Sequence, residues 1–354
     1  GRMSAASIEN IERMLADRII ARMRAGASAI ESRIITVTLN PAVDRVMRVE
    51  RFRIGQHCPA KRTGHYPAGK GVNVSRVLAV LGIRSVATGF VGQRELGMFE
   101  EYLEHIGKGR ITTQLLVVRG RTRDNITIID PIDDTETHLR DEGFSVTRDD
   151  VVRVSSKVGM LARQDSILCF SGSLPPGVCI GDFRSMLHRC DDAGARAVVD
   201  TNPKVLRAIK DERFWMLKAN AEELATMTGM PTENEDEALA AARSITRSHG
   251  GGVEWVIATR GEHGAILVGP DTELVARTFV HPGLIMSTVG CGDSLLAGVL
   301  KCVVENRSWS DAIRLGVAAG TANAVSREAG EISTDEVDAF FEASVVESRV
   351  TTGA

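Results

Sequence analysis

The chemistry in this chain is concentrated in glycine-flanked polar residues, and the densest group is Ser287 to Gly298, "STVGCGDSLLAG". Leu295, Leu296, Val299, Leu300 and Val303 recur at helical spacing, which predicts a helix beginning at Gly290-Cys291-Gly292. The unpaired N–H groups and positive dipole end of a helix start make such a turn a receptor for an anion. Asp293 stabilises the first turn as a cap or acidic residue. Capping alone requires neither Gly290 nor Gly292, and the two glycines suggest close approach of something to the backbone. The thiol of Cys291 is expected to feel the same dipole, which lowers a thiol pKa; alternatively it is a small buried residue filling space.

Four further loops carry polar residues after apolar runs. Asp44 follows the first strand-like run and suits either sugar hydroxyls or a turn cap. "AGKGVN" places Gly69, Lys70 and Asn73 at a second helix start, suited to an anionic or polyol ligand. "NAEE" puts Asn220 and Glu223 on one side of a first helical turn, where they either orient magnesium through water or close a capping box. "ATRGEHG" supplies Gly261 and Gly264 for close approach to a flat or phosphorylated ligand. "GHYPAGKG" is not a P-loop, because Gly71 stands where Ser or Thr must meet magnesium and Pro67 interrupts the loop. No GxGxxG follows the first strand, and neither HExxH nor GxSxG occurs, which excludes the usual dehydrogenase, zinc-peptidase and serine-hydrolase layouts.

The elements that must position these loops are legible in the alternation of patterns. "IITVTL" (34–39), "SVATGFVG" (85–92), "SILCFSG" (166–172), "ARAVVDTN" (195–202), "FWMLKAN" (214–220) and "VEWVIATRG" (253–261) read as buried strands, most followed by helical segments. That order predicts a parallel sheet with helices on both faces and ligands at the strands' carboxyl ends. Residues 45–67 and 114–140 break the alternation and are expected to form a small separate sheet, a lid over the active face. Residues 1–33 are expected to be a helical extension (apolar stripe Ile8, Ile11, Leu15, Ile19, Met23) with a linker, 34–344 the main domain, and 345–354 a tail. Glu9, Glu12 and Asp17 argue against a transit peptide.

Bulk properties narrow the class. The 354 residues suffice for a full core, a net charge of -3 with 4% aromatics disfavours nucleic acid, and no apolar run approaches membrane-spanning length. Six cysteines (58, 169, 179, 190, 291, 302) without a CxxC pair read as reduced, buried thiols of a cytoplasmic protein.

Taken in order, "TLNPAVD" (38–44), "GKGVNVSRVLAVLG" (69–82), "SGSLPPGV" (171–178), "LKANAEEL" (217–224) and "STVGCGDS" (287–294) resemble the signatures of the ribokinase-like, phosphofructokinase B family of carbohydrate kinases. The likeness runs from about residue 34 to near 330 and points to the branch of 1-phosphofructokinase, tagatose-6-phosphate kinase and minor 6-phosphofructokinase. It implies an α/β three-layer sandwich with a mostly parallel central sheet and a small β lid. It further implies an anion hole from the backbone of Gly290, Cys291 and Gly292, with Asp293 as catalytic base. Acceptor contacts fall on Asp44, Gly69, Lys70, Asn73, Arg123, Arg140 and Ser173, of which Lys70, Arg123 and Arg140 are expected to converge on a phosphate. Nucleotide contacts fall on Asn220, Thr259, Gly261, Gly264 and Asn323, with Asn220 and Glu223 organising Mg2+ through water. ATP is the implied donor, a phosphorylated ketohexose the acceptor (fructose 1-phosphate before tagatose 6-phosphate or fructose 6-phosphate), and a homodimer through the lid the implied assembly. A non-catalytic sugar-phosphate sensor on the same fold is the competing class. Three positions depart from the pattern: Ala68 for glycine, Cys291 for alanine, and "ETHLRDEGF" (136–144) in place of an "ELNEPGP"-like run.

Overall fold

The computed structural model describes residues 33–349 except 248, 249, 327 and 328, so the expected N-terminal helix lies outside the described residues. In chain order the elements are β1 (Ile34–Thr38), β2 (Ala42–Arg48), β3 (Lys61–Ala68), α1 (Lys70–Val80), β4 (Ser85–Gly92), α2 (Leu96–Gly107), β5 (Ile111–Val118), β6 (Arg123–Asp130) and β7 (Thr135–Arg140). There follow α3 (Arg148–Leu161), β8 (Ile167–Ser171), α4 (Ile180–Asp192), β9 (Arg196–Asp200), α5 (Pro203–Ala208), β10 (Phe214–Asn220), α6 (Ala221–Thr228), α7 (Glu235–Ser244) and β11 (Val253–Thr259). The chain closes with β12 (Ala265–Val268), β13 (Glu273–Arg277), α8 (Cys291–Val304), α9 (Trp309–Ala324), α10 (Thr334–Ala343) and β14 (Val345–Ser348).

Ten strands form one sheet in the order β14-β13-β12-β11-β10-β9-β8-β1-β4-β5. From β11 to β5 the pairings are parallel, and β12, β13 and β14 add an antiparallel flank. Alternation along β1 shows why both faces are covered. Ile35 and Val37 join one core with Phe183, Met186 and Leu206, and Ile34 joins the other with Leu78, Leu296 and Ile313. A strand buried on both sides reads as a continuous apolar run, as the six sequence segments do. Because β1 lies between β8 and β4, the strand order reverses there, and loops after β1 and β8 open a crevice at the carboxyl edge.

The second sheet, β3-β2-β6-β7, is the expected lid. Its second segment starts later than the sequence pattern suggested: residues 114–118 belong to β5 at the edge of the main sheet, paired in parallel with Thr88 to Gly92 of β4. The expected tail is also shorter, since Val345–Ser348 pairs with Leu274–Arg277 as the last strand. The cysteines are free, with Cys169, Cys190 and Cys302 buried as expected, but Cys179 is exposed and Cys58 half-buried.

Candidate active site

At the carboxyl edge, β1 continues through Asn40 into the lid and α1 returns beneath it. Gly69, at φ 140°, turns the chain into α1. Gly71 packs so tightly that a Cβ would stand 2.3 Å from Thr38 Oγ1. This contact holds the first turn of α1 against β1 and aims two side chains across the crevice. Asn73 Nδ2 donates to Asp293 Oδ2 at 2.8 Å, and Lys70 Nζ donates to Asp200 Oδ1 at 2.6 Å. Lys218 Nζ reaches the other oxygen of Asp200 at 3.0 Å.

Asp293 is thus one of four buried or half-buried charges. Burial first, and the Asp200 anion second, push its carboxyl up to about 6, against Lys218, Lys70 and the Asn73 hydrogen bond. Burial disfavours the Asp200 anion too, yet Lys218 and Lys70 hold its carboxyl below the usual range. Burial pulls Lys70 down, but Asp200 and Asp293 together raise it above an ordinary lysine. The floor therefore sets the side chains of two aspartates and two lysines against one another.

The glycine turn sits directly against this floor. Gly290 is the N-cap of α8 at φ 83°, and a Cβ there would press on Ala329 at 2.7 Å. Asn323 fixes the turn from below. Its Nδ2 donates to Val289 O at 2.8 Å and to Cys291 Sγ at 3.4 Å, while its Oδ1 accepts from Gly330 N at 2.6 Å and Ser294 Oγ at 3.2 Å. All four hydrogen-bonding positions of the amide are used, and the residue is fully buried. Asn323, expected at the nucleotide, is in this structure a brace for the turn. The Cys291 expectation also reverses: burial raises its thiol pKa, with Asp293 adding to the rise against the Asn323 hydrogen bond and Lys218.

The lid faces the floor with a different arrangement. The register aligns Tyr66, Asp44, Asn125 and Arg140 in one row across four strands. Asn125 Nδ2 donates to Asp44 Oδ1 at 2.9 Å, and the buried Asn125 Oδ1 has no partner. Burial raises the Asp44 carboxyl, opposed by Asn125, Arg123 and Arg140. Arg123 donates to the carbonyls of Pro41 and Asn40, each at 3.3 Å. Burial and the neighbouring Arg140 lower its pKa, and the Arg140 guanidinium makes no hydrogen bond or ion pair among the described residues. Two guanidiniums close together without a full counter-charge form a receptor for an anion. Ser173 lies at the same edge, its Oγ accepting from Asn40 Nδ2 at 3.0 Å.

Lys70 does not join the arginines as expected; its ammonium is committed to Asp200. Asp200, Lys218, Asn125 and Asn40 escaped the sequence reading. A signal existed for two of them, a lysine inside the otherwise apolar "FWMLKAN" and an aspartate closing "ARAVVD".

Beyond the floor, Asn220, Glu222, Thr232, Thr259, Gly261 and His263 line an open groove. Gly261 and Gly264 have φ of 57° and 81°, and a Cβ on Gly264 would meet Ala276 O at 2.0 Å, so both glycines shape this turn by backbone necessity. Asn220 and Glu223 form the reciprocal capping box: Glu223 N donates to Asn220 Oδ1 at 2.7 Å and Asn220 N to Glu223 Oε2 at 2.8 Å. The Glu223 charge still reaches Lys70.

A family profile described as "pfkB family carbohydrate kinase" matches residues 37–336. The 1-phosphofructokinase of Bacillus subtilis (strain 168) is 31% identical over 298 residues, 84% of this chain and 94% of that protein. A tagatose-6-phosphate kinase of Staphylococcus epidermidis is 26% identical over 311 residues, 87% of this chain and 97% of its own. Among solved structures, phosphofructokinase-2 from Escherichia coli in complex with potassium superposes with a TM-score of 0.80 at 24% identity, covering 88% of this chain and 98% of that one.

Proposed function

Because this chain belongs to the pfkB family of carbohydrate kinases and is a phosphotransferase, we propose that it moves the terminal phosphoryl group of ATP to a hydroxyl of a phosphorylated ketohexose, fructose 1-phosphate first. Tagatose 6-phosphate and fructose 6-phosphate are the alternative acceptors. The observation that carries this reading is the buried Asp293 beside the Gly290–Gly292 turn, faced across the crevice by the Arg123–Arg140 pair.

The proposed steps use these residues as follows. Asp44 and the unpartnered Asn125 Oδ1 accept hydrogen bonds from sugar hydroxyls, and Arg123 with Arg140 takes the acceptor's own phosphate. The acceptor hydroxyl then lies between lid and floor, where Asp293 accepts its proton as the new O–P bond forms. The bond to the β-phosphate oxygen breaks and ADP leaves. The N–H groups of Gly290, Cys291 and Gly292 receive the phosphoryl oxygens at the helix start, which favours charge spread over that group. The nucleotide occupies the groove beside Thr259, Gly261 and Gly264.

Magnesium fits this donor set only as a partner of the nucleotide phosphates. Among the described residues no three His, Cys, Asp or Glu side chains are grouped to hold a metal. Mg2+ keeps several waters and needs one or two carboxylates plus phosphates. Glu223, whose cap bond uses Oε2, would hold it through water, beside Asn220; the ion would neutralise phosphate charge.

The outer face of the lid supports a homodimer. Ile126 and Ile128 lie on one face with Leu139, which is 51% exposed, and Ile54 beyond β2 is 96% exposed. Sedimentation should give twice the monomer mass, and Leu139→Asp should shift it toward monomer.

The acceptor is tested by ADP release from ATP with fructose 1-phosphate, tagatose 6-phosphate, fructose 6-phosphate and fructose. Equal KM for fructose and its phosphates would overturn the phosphosugar reading. Tight phosphosugar binding with no ADP formed would favour the sensor.

A further inference from the structure

The floor sets two lysines on one carboxylate, where a single lysine would close the pair. Asp200 is 0% exposed, and Lys70 alone would satisfy it; Lys218, only 5% exposed, occupies its second oxygen. Burying an additional ammonium is no route to stability, since apolar replacements of buried ion groups are often neutral or better. The position of Lys218 indicates another use. Gly292 lies in the first turn of α8 without a positive φ, so its backbone does not need glycine. What a side chain there would meet is Lys218: a Cβ would stand 2.4 Å from its Nζ and 2.9 Å from its Cε. That ammonium cannot swing aside without giving up Asp200. It therefore lies against the turn that faces the transferring group.

We propose that Lys218 is a catalytic residue of phosphoryl transfer, touching the transferring group from beneath Gly292, and that Asp200 is a positioning residue that holds Lys218 and Lys70 apart, one on each oxygen. The inference rests on the kinase reading above. Charge on a transferring phosphoryl group spreads over three oxygens. Ammoniums already fixed by a carboxylate stabilise it without reorganisation. Lysine suits the place because its charge is a compact point on a slender stem, where a guanidinium fork would not fit beside Gly292.

Lys218→Met leaves Asp200 paired with Lys70, so no buried charge is orphaned and the variant should fold, as checked by circular dichroism. Its kcat should fall by ~10² to 10³, the usual effect of removing one preorganised donor to a transition state, while KM for both substrates changes little. The fall in kcat at unchanged KM is the readout that a structural role would leave still, and the pH profile checks that Lys218 and Asp200 act on Asp293 as the geometry places them. The groups facing Asp293 are Asp200 from β9, Lys218 from β10, Lys70 and Asn73 from α1, and Cys291 on its own helix. Removing the Lys218 cation should move the acid limb of kcat/KM upward in pH, and Asp200→Asn, which removes an anion, should move it downward. Gly292→Ala should lower kcat in the parent but add little to Lys218→Met, because both act through one ammonium. A folded Lys218→Met variant with parental kcat, or strictly additive losses with Gly292→Ala, would overturn the proposal while the parent still releases ADP. A parent that releases no ADP with any phosphohexose overturns the kinase reading, and this inference with it.

Discussion

On the floor of the crevice each buried charge already has a counter-charge or hydrogen bond from the chain: Asp293 from Asn73, and Asp200 from Lys70 and Lys218. Across from it, on the lid, the Arg140 guanidinium has no hydrogen bond or ion pair among the described residues and Asn125 Oδ1 is buried without one. The floor is built on rigid strand ends and helix starts of the main sheet, whereas the lid is a four-stranded sheet with exposed edges. The difference teaches where each step of recognition is completed. Groups satisfied before a ligand arrives are preorganised for a transition state, and groups left unsatisfied gain most when a substrate binds. Floor substitutions should therefore lower kcat, and lid substitutions should raise KM.

The largest effect falls on the floor. Asp293→Asn should lower kcat by ~10² to 10⁴, the contribution of a positioned general base, with ATP affinity by calorimetry nearly unchanged. Near-parental turnover in the folded variant would remove Asp293 as base and break the comparison. On the lid, Arg123→Ala and Arg140→Ala should each raise KM for the phosphosugar about 10- to 100-fold, since a charge-assisted hydrogen bond contributes ~1.5–3 kcal/mol. KM for ATP should hardly move, and neither should the low activity on unphosphorylated fructose; a fall in kcat instead would assign the arginines to the floor's task.

The pH dependence separates the regions further. A base that must be ionised, with its carboxyl at about 6, makes kcat/KM rise with pH up to about 6 and then level. Below that point it should change about tenfold per pH unit. The same carboxyl is raised relative to an unfolded aspartate at 3.8, so its contribution to stability is present below about 4 and lost as pH rises through 6. Asp293→Asn should consequently melt higher than the parent at pH 7.5, and the gain should shrink toward pH 4. Equal melting temperatures at both pH values would show that Asp293 is not held against its own solvation.

Two smaller effects sharpen the border of the floor. Glu223→Gln keeps an oxygen for the cap but loses the charge, so the magnesium concentration for half-maximal rate should rise several-fold with the melting temperature unchanged. A lower melting temperature with unaltered magnesium dependence would reduce the residue to its capping box. Iodoacetamide should modify the exposed Cys179 well before Cys291, whose thiol burial keeps protonated. Mass spectrometry showing Cys291 modified first would mean that the helix dipole outweighs burial.

How much was legible follows from the range of each signal. The sheet was readable because strands buried on both faces carry unbroken apolar runs, and Asp293 was readable because a helix start announces itself within a few residues. The Asn220–Glu223 capping box is equally local, a pair three residues apart, but spacing alone left its use open. The lid's onset was misjudged because residues 114–118 run on in the chain toward the lid strands, and only pairing with β4 assigns them to the main sheet.

What the sequence by itself determined is therefore the order of strands and helices and the loops that carry the chemistry, because hydrophobic periodicity and glycine turns act over a few residues. Tertiary structure alone decided which side chains share a charge. Lys70 and Asp200 are 130 residues apart, and Asn73 and Asp293 are 220 apart. The parallel register Met216↔Val198, carried two residues further, sets Lys218 beside Asp200. Asn323 likewise turned from a ligand contact into a brace because α9 packs under the Gly290 turn. An ammonium goes to the nearest carboxylate that burial leaves it, and that neighbour exists only once the strands have been laid side by side.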